Sequence, residues 1–260
     1  MKLASHIPPV GDVAQVVERS LSISGKLHCE SMAPEWSIAE SKTYQQKLLI
    51  PGTNKRKFFG LLEKPNLPPS APSVSYKIFM FGKAGSGKTW TMNRLSGQDV
   101  PWQHTETLGI QCCTVYWPMK IGNRLILFRL EIWDAGDNSV KRYNHVLPAC
   151  REGVDAVLVC VSASDREGWT DLPRLLTSAA QPTDRAAIIV VATRWNNVGY
   201  REVTENEVET IENTHGVPVI RLDSGGDEQH TDELTHTAPV LNFICKRLWQ
   251  RDQELLSIKQ

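Results

Sequence analysis

From residue 76 onward, short apolar runs alternate with stretches in which apolar positions recur every three or four residues. Short apolar runs bounded by turn residues predict buried strands, and the three-to-four spacing predicts helices with one face on a core. Residues 76–81 thus read as a strand and 88–95 as a helix. Residues 112–119 and 125–133 read as a hairpin turning near Gly122-Asn123, where glycine and asparagine tolerate the tight reversal. Three further buried strands are expected at 154–161, 187–192 and 217–222, with helices at 172–179 and 204–213 between them. A closing amphipathic helix over 240–255 would carry Leu241, Ile244 and Leu248 along one side. Strands alternating with helices in this way predict an α/β domain with a mostly parallel six-stranded sheet and helices on both faces.

Residues 1–75 have no such period. Pro34, Pro51, Pro65, Pro68, Pro69 and Pro72 interrupt their apolar patches, so the stretch is expected to be an irregular N-terminal extension, docked or mobile, ahead of a domain over 76–256. Within it Lys55-Arg56-Lys57 directly precede Phe58-Phe59-Gly60-Leu61-Leu62, a charge run beside a packing patch.

Charge and cysteine content narrow the classes. With 29 basic against 29 acidic residues in 260, there is no global field to favour nucleic acid or an anionic membrane. Cys29, Cys112, Cys113, Cys150, Cys160 and Cys245 show neither a CxxC pair nor zinc-ligand spacing, which fits free thiols. No apolar stretch is long enough to span a bilayer, and no cysteine near the C-terminus suits prenylation. The expectation is a cytoplasmic protein that borrows any membrane contact from a partner. The seven histidines lie at no metal-ligand spacing, and Trp117, Trp133 and Trp195 fall at strand ends, where they suit core or interface positions.

The most specific chemistry lies between the first strand and the first helix. Gly82-Lys83-Ala84-Gly85-Ser86-Gly87-Lys88-Thr89 fits the pattern GxxxxGK[ST]. The glycines let the loop wrap with its N–H groups inward, and the helix N-terminus adds the positive end of its dipole, so the loop suits a polyphosphate. Ala84, Gly85, Ser86, Gly87, Lys88, Thr89 and Trp90 are the expected nucleotide contacts, with Lys88 on the β and γ phosphates and the Thr89 hydroxyl on Mg2+.

Two later segments join this loop to a known class. Thr105-Glu106-Thr107-Leu108-Gly109-Ile110 resembles the end of switch I in Rab and Ras proteins, and Ile132-Trp133-Asp134-Ala135-Gly136-Asp137 resembles their Trp-Asp-Thr-Ala-Gly-Gln. The chain therefore resembles the Ras-like small GTPases, built on a P-loop fold. The resemblance implies GTP and GDP as ligands with Mg2+. It implies that Thr107, with Thr105 as a competitor, ligates the metal and senses the γ-phosphate, that Asp134 holds the metal through water, and that Gly136 offers its N–H to the γ-phosphate.

Several positions depart from the pattern. One residue separates Asp134 from Gly136 where the family has two, and the place of the water-orienting glutamine falls to Asp137, or to Asn138 in the other register. Asp137, as the only catalytic candidate, would repel a phosphate. Ala84 stands where much of the Ras family has glycine, with a methyl that crowds an arginine finger. Slow hydrolysis is expected. Thr193, Arg194 and Asn196 occupy the base-reading Asn-Lys-x-Asp. Guanine offers two donors to the family's aspartate, whereas Asn196 has one acceptor and a clashing NH2, so weaker guanine selectivity follows. Asp223-Ser224-Gly225 is a guess for the third base-contacting element.

Read together, residues 58–65, Ser75-Tyr76-Lys77-Ile78-Phe79, residues 104–111, Trp117-Pro118 and Trp133-Asp134-Ala135-Gly136 are similar to the REM- and Rab-like small GTPases of cilium formation and planar polarity, which share the shortened Asp-x-Gly. That resemblance implies a role in cilium initiation and in vesicle or cargo transport to the basal body. It also implies a complex with the Fuzzy and Inturned proteins that grips the switch regions. The alternative is a structural subunit in which nucleotide only stabilises the fold; a nucleotide kinase is disfavoured, because no Arg-rich lid-like segment appears between the strands.

Overall fold

The computed structural model describes residues 72–98, 106–121, 124–143, 145–180, 185–196, 199–223 and 233–258. The expected extension, apart from residues 72–75, and the basic–aromatic stretch 55–62 lie outside these residues, as do the Gly122-Asn123 turn, Thr105 and Ser224-Gly225.

Six strands form one sheet in the order β2-β3-β1-β4-β5-β6. They are β1 (Ser73–Phe81), β2 (Ile110–Ile121), β3 (Arg124–Ala135), β4 (Ala156–Ser162), β5 (Ala187–Thr193) and β6 (Val219–Arg221). Only β2 is antiparallel, paired with β3 from Ile110↔Ala135 to Ile121↔Arg124; the other neighbours are parallel. The expected mostly parallel α/β sheet is thus observed. β1 starts three residues before the expected Tyr76, and the Pro72 carbonyl already accepts from Leu127 N–H at 2.9 Å.

Alternation along the strands divides the core into two layers. On one face Tyr76, Ile78 and Met80 of β1 join Leu158 and Cys160 of β4, covered by helices α1 (Lys88–Ser96) and α7 (Glu233–Ser257) through Met92, Leu95, Leu241, Ile244 and Leu248. On the other, Phe79, Val157, Val159, Val190 and Ala192 are covered through Cys150, Leu172, Leu176 and Val208. These come from α3 (Val146–Arg151), α5 (Leu172–Ala179) and α6 (Glu205–His215), while α2 (Asp137–Arg142) and α4 (Arg166–Thr170) are short turns at the strand ends. All seven residues of β4 are buried, as a parallel strand covered on both faces requires. Cys112 is exposed and Cys113 buried, as adjacent strand positions must be. None of the described helices is long and apolar enough to cross a membrane.

Local signals explain the helix ends. Thr204 caps α6 in a reciprocal box with Glu207, whose carboxylate accepts from Thr204 N–H at 2.9 Å. α7 begins at Glu233, ahead of the expected residue 240, and carries Pro239 inside it. Its far end is fixed by buried polar groups: Tyr76 O–H donates to Asp252 at 2.7 Å, and the Arg251 guanidinium donates to Asp155 at 2.8 Å and to Asp252 at 3.1 Å.

β1 is central, with β3 on one side and β4 on the other, so the chain leaves it in opposite directions. The crevice beyond the carboxyl ends of the strands at such a reversal is where open α/β sheets bind ligands. The loop from Gly82 to Gly87 lies there.

Candidate functional site

The loop after β1 is shaped by close backbone approaches. Gly82 adopts φ +147°, and a β-carbon on it would stand 2.4 Å from the Cys160 carbonyl oxygen of β4. Gly87, at φ +91°, presses against the Thr193 side chain, which would lie 3.0 Å from an added β-carbon. Both positions exclude larger residues, which accounts for two glycines of the motif. Gly87 is also the N-cap of α1, whose first turn contains no acidic residue, so no side chain competes with an anion for its N–H groups. Lys88 Nζ arches over the loop, donating to the carbonyls of Gly82 at 2.9 Å and Lys83 at 3.0 Å. Ala84 is exposed, Gly85 half-buried, and Ser86 buried with its hydroxyl lacking a partner. Trp90 is half-buried against the core, with the Arg94 guanidinium 5.1 Å from its ring.

Three oxygen-bearing side chains from three segments meet beside α1. Thr89 O–H donates to Asp134 Oδ2 at 2.5 Å, Thr107 O–H donates to the same oxygen at 3.1 Å, and the two hydroxyls are 2.7 Å apart. Asp134, next to last in β3, is fully buried, and its other oxygen, Oδ1, has no hydrogen-bond partner. A buried carboxylate contacted only by neutral hydroxyls needs a counter-charge. Lys88, a cation of the same motif, is engaged with loop carbonyls. Two hydroxyls and a carboxylate are a hard donor set of the kind Mg2+ takes, completed by phosphate oxygens and water. The residues present therefore fit Mg2+ bound with a polyphosphate, and the arrangement brings together the three positions expected from sequence.

Thr107 lies in a segment fastened to the start of α2. Gly136 N–H donates to the Gly109 carbonyl at 3.0 Å, Gly109 N–H donates to Ser139 Oγ at 2.9 Å, and Asn138 Nδ2 donates to Glu106 at 2.7 Å. A β-carbon at Gly136 would stand 1.9 Å from the Thr107 carbonyl oxygen. The N–H expected to face a phosphate is thus used within the protein. Asp137 turns away into an ion pair with Lys141 at 2.6 Å. Sequence patterns assign no role to Ser139, whose only signal is a small polar residue in the first turn of a helix.

On the base side, Thr193 is buried at the end of β5 and its hydroxyl donates to the Ser86 carbonyl at 3.0 Å. Arg194 is exposed with φ +57°, its guanidinium donating to Ser162 Oγ at 3.3 Å. Trp195 is buried, with the guanidinium groups of Arg201 and Arg221 4.8 and 5.6 Å from its ring. Asn196 is exposed on the same loop, and the Asp223 carbonyl accepts from Arg94 at 3.0 Å.

Comparison with known proteins places the chain in a family. Residues 77–196 match the family model described as Roc, the Ras of Complex domain of DAPkinase. Ciliogenesis and planar polarity effector 2 of Xenopus laevis is 37% identical over 238 residues, covering 86% of this chain and 95% of the relative. The chain belongs to the ciliogenesis and planar polarity effector 2 family of Ras-like proteins. The Homo sapiens member is 35% identical over 235 residues, covering 85% of this chain and 90% of its own length. A more distant relative, the Ras-related protein RABA2d of Arabidopsis thaliana, is 22% identical over 175 residues, or 66% of this chain and 77% of the relative. Similarity to this effector family therefore runs nearly the full length of its members, while the Roc match is confined to the Ras-like domain.

Proposed function

We propose that this protein is a guanine-nucleotide-dependent binding switch with slow hydrolysis that acts in cilium biogenesis. The observation that carries this reading is the meeting of Thr89, Thr107 and the buried, partly unpartnered Asp134 carboxylate at the mouth of the phosphate loop. In this reading the backbone from Ala84 to Trp90 and the Lys88 ammonium hold the phosphates. Thr89 and Thr107 ligate Mg2+, Asp134 holds it through water, and Thr193, Arg194 and Asn196 line the base. A bound magnesium nucleotide supplies the positive charge that Asp134 lacks. Asp137 is held by Lys141 and offers a carboxylate where the family places an amide, which supports slow turnover and gives Asp137 no catalytic role beyond a weak one.

The relatives' names support action in ciliogenesis through a planar polarity effector assembly. By resemblance the assembly is the one with Fuzzy and Inturned, serving transport to the basal body from the cytoplasm, with membrane contact made by the partners.

Purification of the full chain, identification of the nucleotide that accompanies it, and titration of GTP, GDP, ATP and XTP with and without Mg2+ test the proposal. Tight Mg2+-dependent binding of guanine nucleotides supports it. A second reading, a structural subunit with a stabilising nucleotide, is favoured by the engagement of Gly136 N–H with Gly109. It takes first place if no nucleotide binds, or if partners bind the diphosphate and triphosphate forms equally.

A further inference from the structure

Four direct contacts join the segment 106–109 to the segment 136–139. The Glu106 carboxylate accepts from Asn138 twice, from its side-chain amide at 2.7 Å and from its backbone N–H at 3.3 Å. Ser139 Oγ accepts from Gly109 N–H at 2.9 Å, and Gly109 in turn accepts from Gly136 N–H at 3.0 Å. The missing side chain of Gly136 lets the Thr107 carbonyl approach to a distance no alanine would permit. Asn138 and Ser139 belong to the first turn of α2, where helix N–H groups have no partner within the helix, so Glu106 supplies the acceptor that a local N-cap side chain would otherwise provide. Gly136, the N-cap of α2, has no side chain to do so.

We infer that Glu106 and Ser139 form a built-in clasp that holds the two loops together, with Thr107 at Asp134, without requiring a γ-phosphate as the bridge. This inference rests on the second reading above, a structural subunit with a stabilising nucleotide, and deepens it. In a switch whose loops are joined only through a γ-phosphate, loss of that phosphate releases both. Here the joining groups are Glu106, Gly109, Gly136, Asn138 and Ser139. The bond to Ser139 is partly shielded from solvent, whereas the two to Glu106 are exposed and individually weaker. Glu106 and Ser139 are positioning residues for Thr107. The diphosphate form then keeps the closed arrangement of these two loops.

Residue-resolved amide hydrogen exchange on the full chain tests this. Gly136 is the informative amide, because its partner is a backbone carbonyl that no side-chain substitution removes. Wild type is compared with E106A/S139A and with E106Q, each bound to GDP and Mg2+, to a non-hydrolysable GTP analogue and Mg2+, and without nucleotide. In wild type the exchange of Gly136 should differ by less than about twofold between diphosphate and triphosphate forms, below the effect of a single hydrogen bond. In E106A/S139A it should rise about fivefold or more with GDP and stay slow with the triphosphate analogue, and E106Q, which keeps one acceptor, should fall between. Wild-type Gly136 opening about tenfold faster with GDP than with the analogue would overturn the inference, as would exchange in E106A/S139A that matches wild type. If neither nucleotide binds, the switch reading fails separately. The clasp is then judged on the free protein, where slow Gly136 exchange in wild type and fast exchange in E106A/S139A support it and equal rates overturn it.

Discussion

The Thr193 hydroxyl donates to the Ser86 carbonyl across 3.0 Å, and this bond ties the end of β5 to the phosphate loop. Gly87 packs against the same side chain, so the base loop and the phosphate loop are joined at this residue. Thr193→Val keeps the shape and removes the donor. A buried hydrogen bond contributes about 0.5–1.5 kcal/mol net, so nucleotide affinity should weaken by about two- to twelvefold with little change in packing. Titration calorimetry with GDP, alongside thermal melting of the free protein, checks both halves.

Asp134 presents the opposite balance between stability and binding. Its carboxylate is fully buried and Oδ1 has no donor. Asp134→Asn removes a buried charge that only a bound cation compensates. The variant should melt at the same or a higher temperature than wild type in EDTA, yet lose the rise in melting temperature that Mg2+ and nucleotide give wild type through linkage. A variant that loses stability in EDTA while retaining the full Mg2+ response would contradict the metal assignment. Thr89→Asn and Lys88→Ala should likewise abolish Mg2+-dependent nucleotide binding, through loss of a metal and a phosphate contact.

At Gly136 the argument is steric. Its backbone at φ −63° and ψ 135° is open to any residue, but an alanine β-carbon would fall 1.9 Å from the Thr107 carbonyl oxygen. Backbone must shift, at a cost of about 1–3 kcal/mol, and Thr107 must move away from Asp134. Gly136→Ala should therefore weaken Mg2+ binding while the core of β1, β4 and β5 stays intact. A Mg2+ titration followed by nucleotide release rates, with far-UV circular dichroism as the control, reads this.

The strands were legible because parallel strands buried on both faces are continuous apolar runs; β4 and β5 are the plainest cases. The meeting of Thr89, Thr107 and Asp134 was legible only through motif spacing, since the residues come from three separate segments. Short helices left no trace: α2, α3 and α4 are five or six residues long, too short to show a helical period. Pro239 hid the first turns of α7, because an internal proline reads as a boundary. The Glu106–Asn138 contact spans 32 positions, and a long-range polar pair creates no pattern along the chain. The N–H of Gly136 was expected at a phosphate; its bond to Gly109 depends on the register in which β2 meets β3, which composition does not reveal.

Asn196 sits exposed beyond β5, two residues after Arg194, and in the proposed reading it stands in for the aspartate that accepts both guanine donors. Asn196→Asp restores the second acceptor and removes the clashing amide. The preference for GTP over XTP should rise by roughly 5- to 150-fold, the equivalent of about 1–3 kcal/mol for one buried hydrogen bond made or lost. Competition binding with the two triphosphates measures it, and an unchanged ratio would mean that another group reads the purine edge.

The last prediction concerns the bond that fixes the end of α7. Tyr76 O–H donates to Asp252 at 2.7 Å, and burial, with the Asp252 and Asp155 carboxylates nearby, pushes the phenol far above its ordinary range. Burial also raises the Asp252 carboxyl, against the opposing pull of the Tyr76 hydrogen bond and the Arg251 guanidinium. Tyr76→Phe removes that donor, which leaves the ionised carboxylate less satisfied and raises its folded-state pKa further. For a carboxyl raised in the folded state, the destabilisation is present above the folded pKa and is relieved as pH falls through it toward the unfolded value. Tyr76→Phe should thus cost about 1–3 kcal/mol near pH 8, with a deficit relative to wild type that shrinks on acidification toward the carboxyl range. Urea unfolding of both proteins at pH 8 and pH 5 measures the difference. A deficit of the same size at pH 5 would mean that the lost packing of the hydroxyl, and not the charge on Asp252, sets the cost.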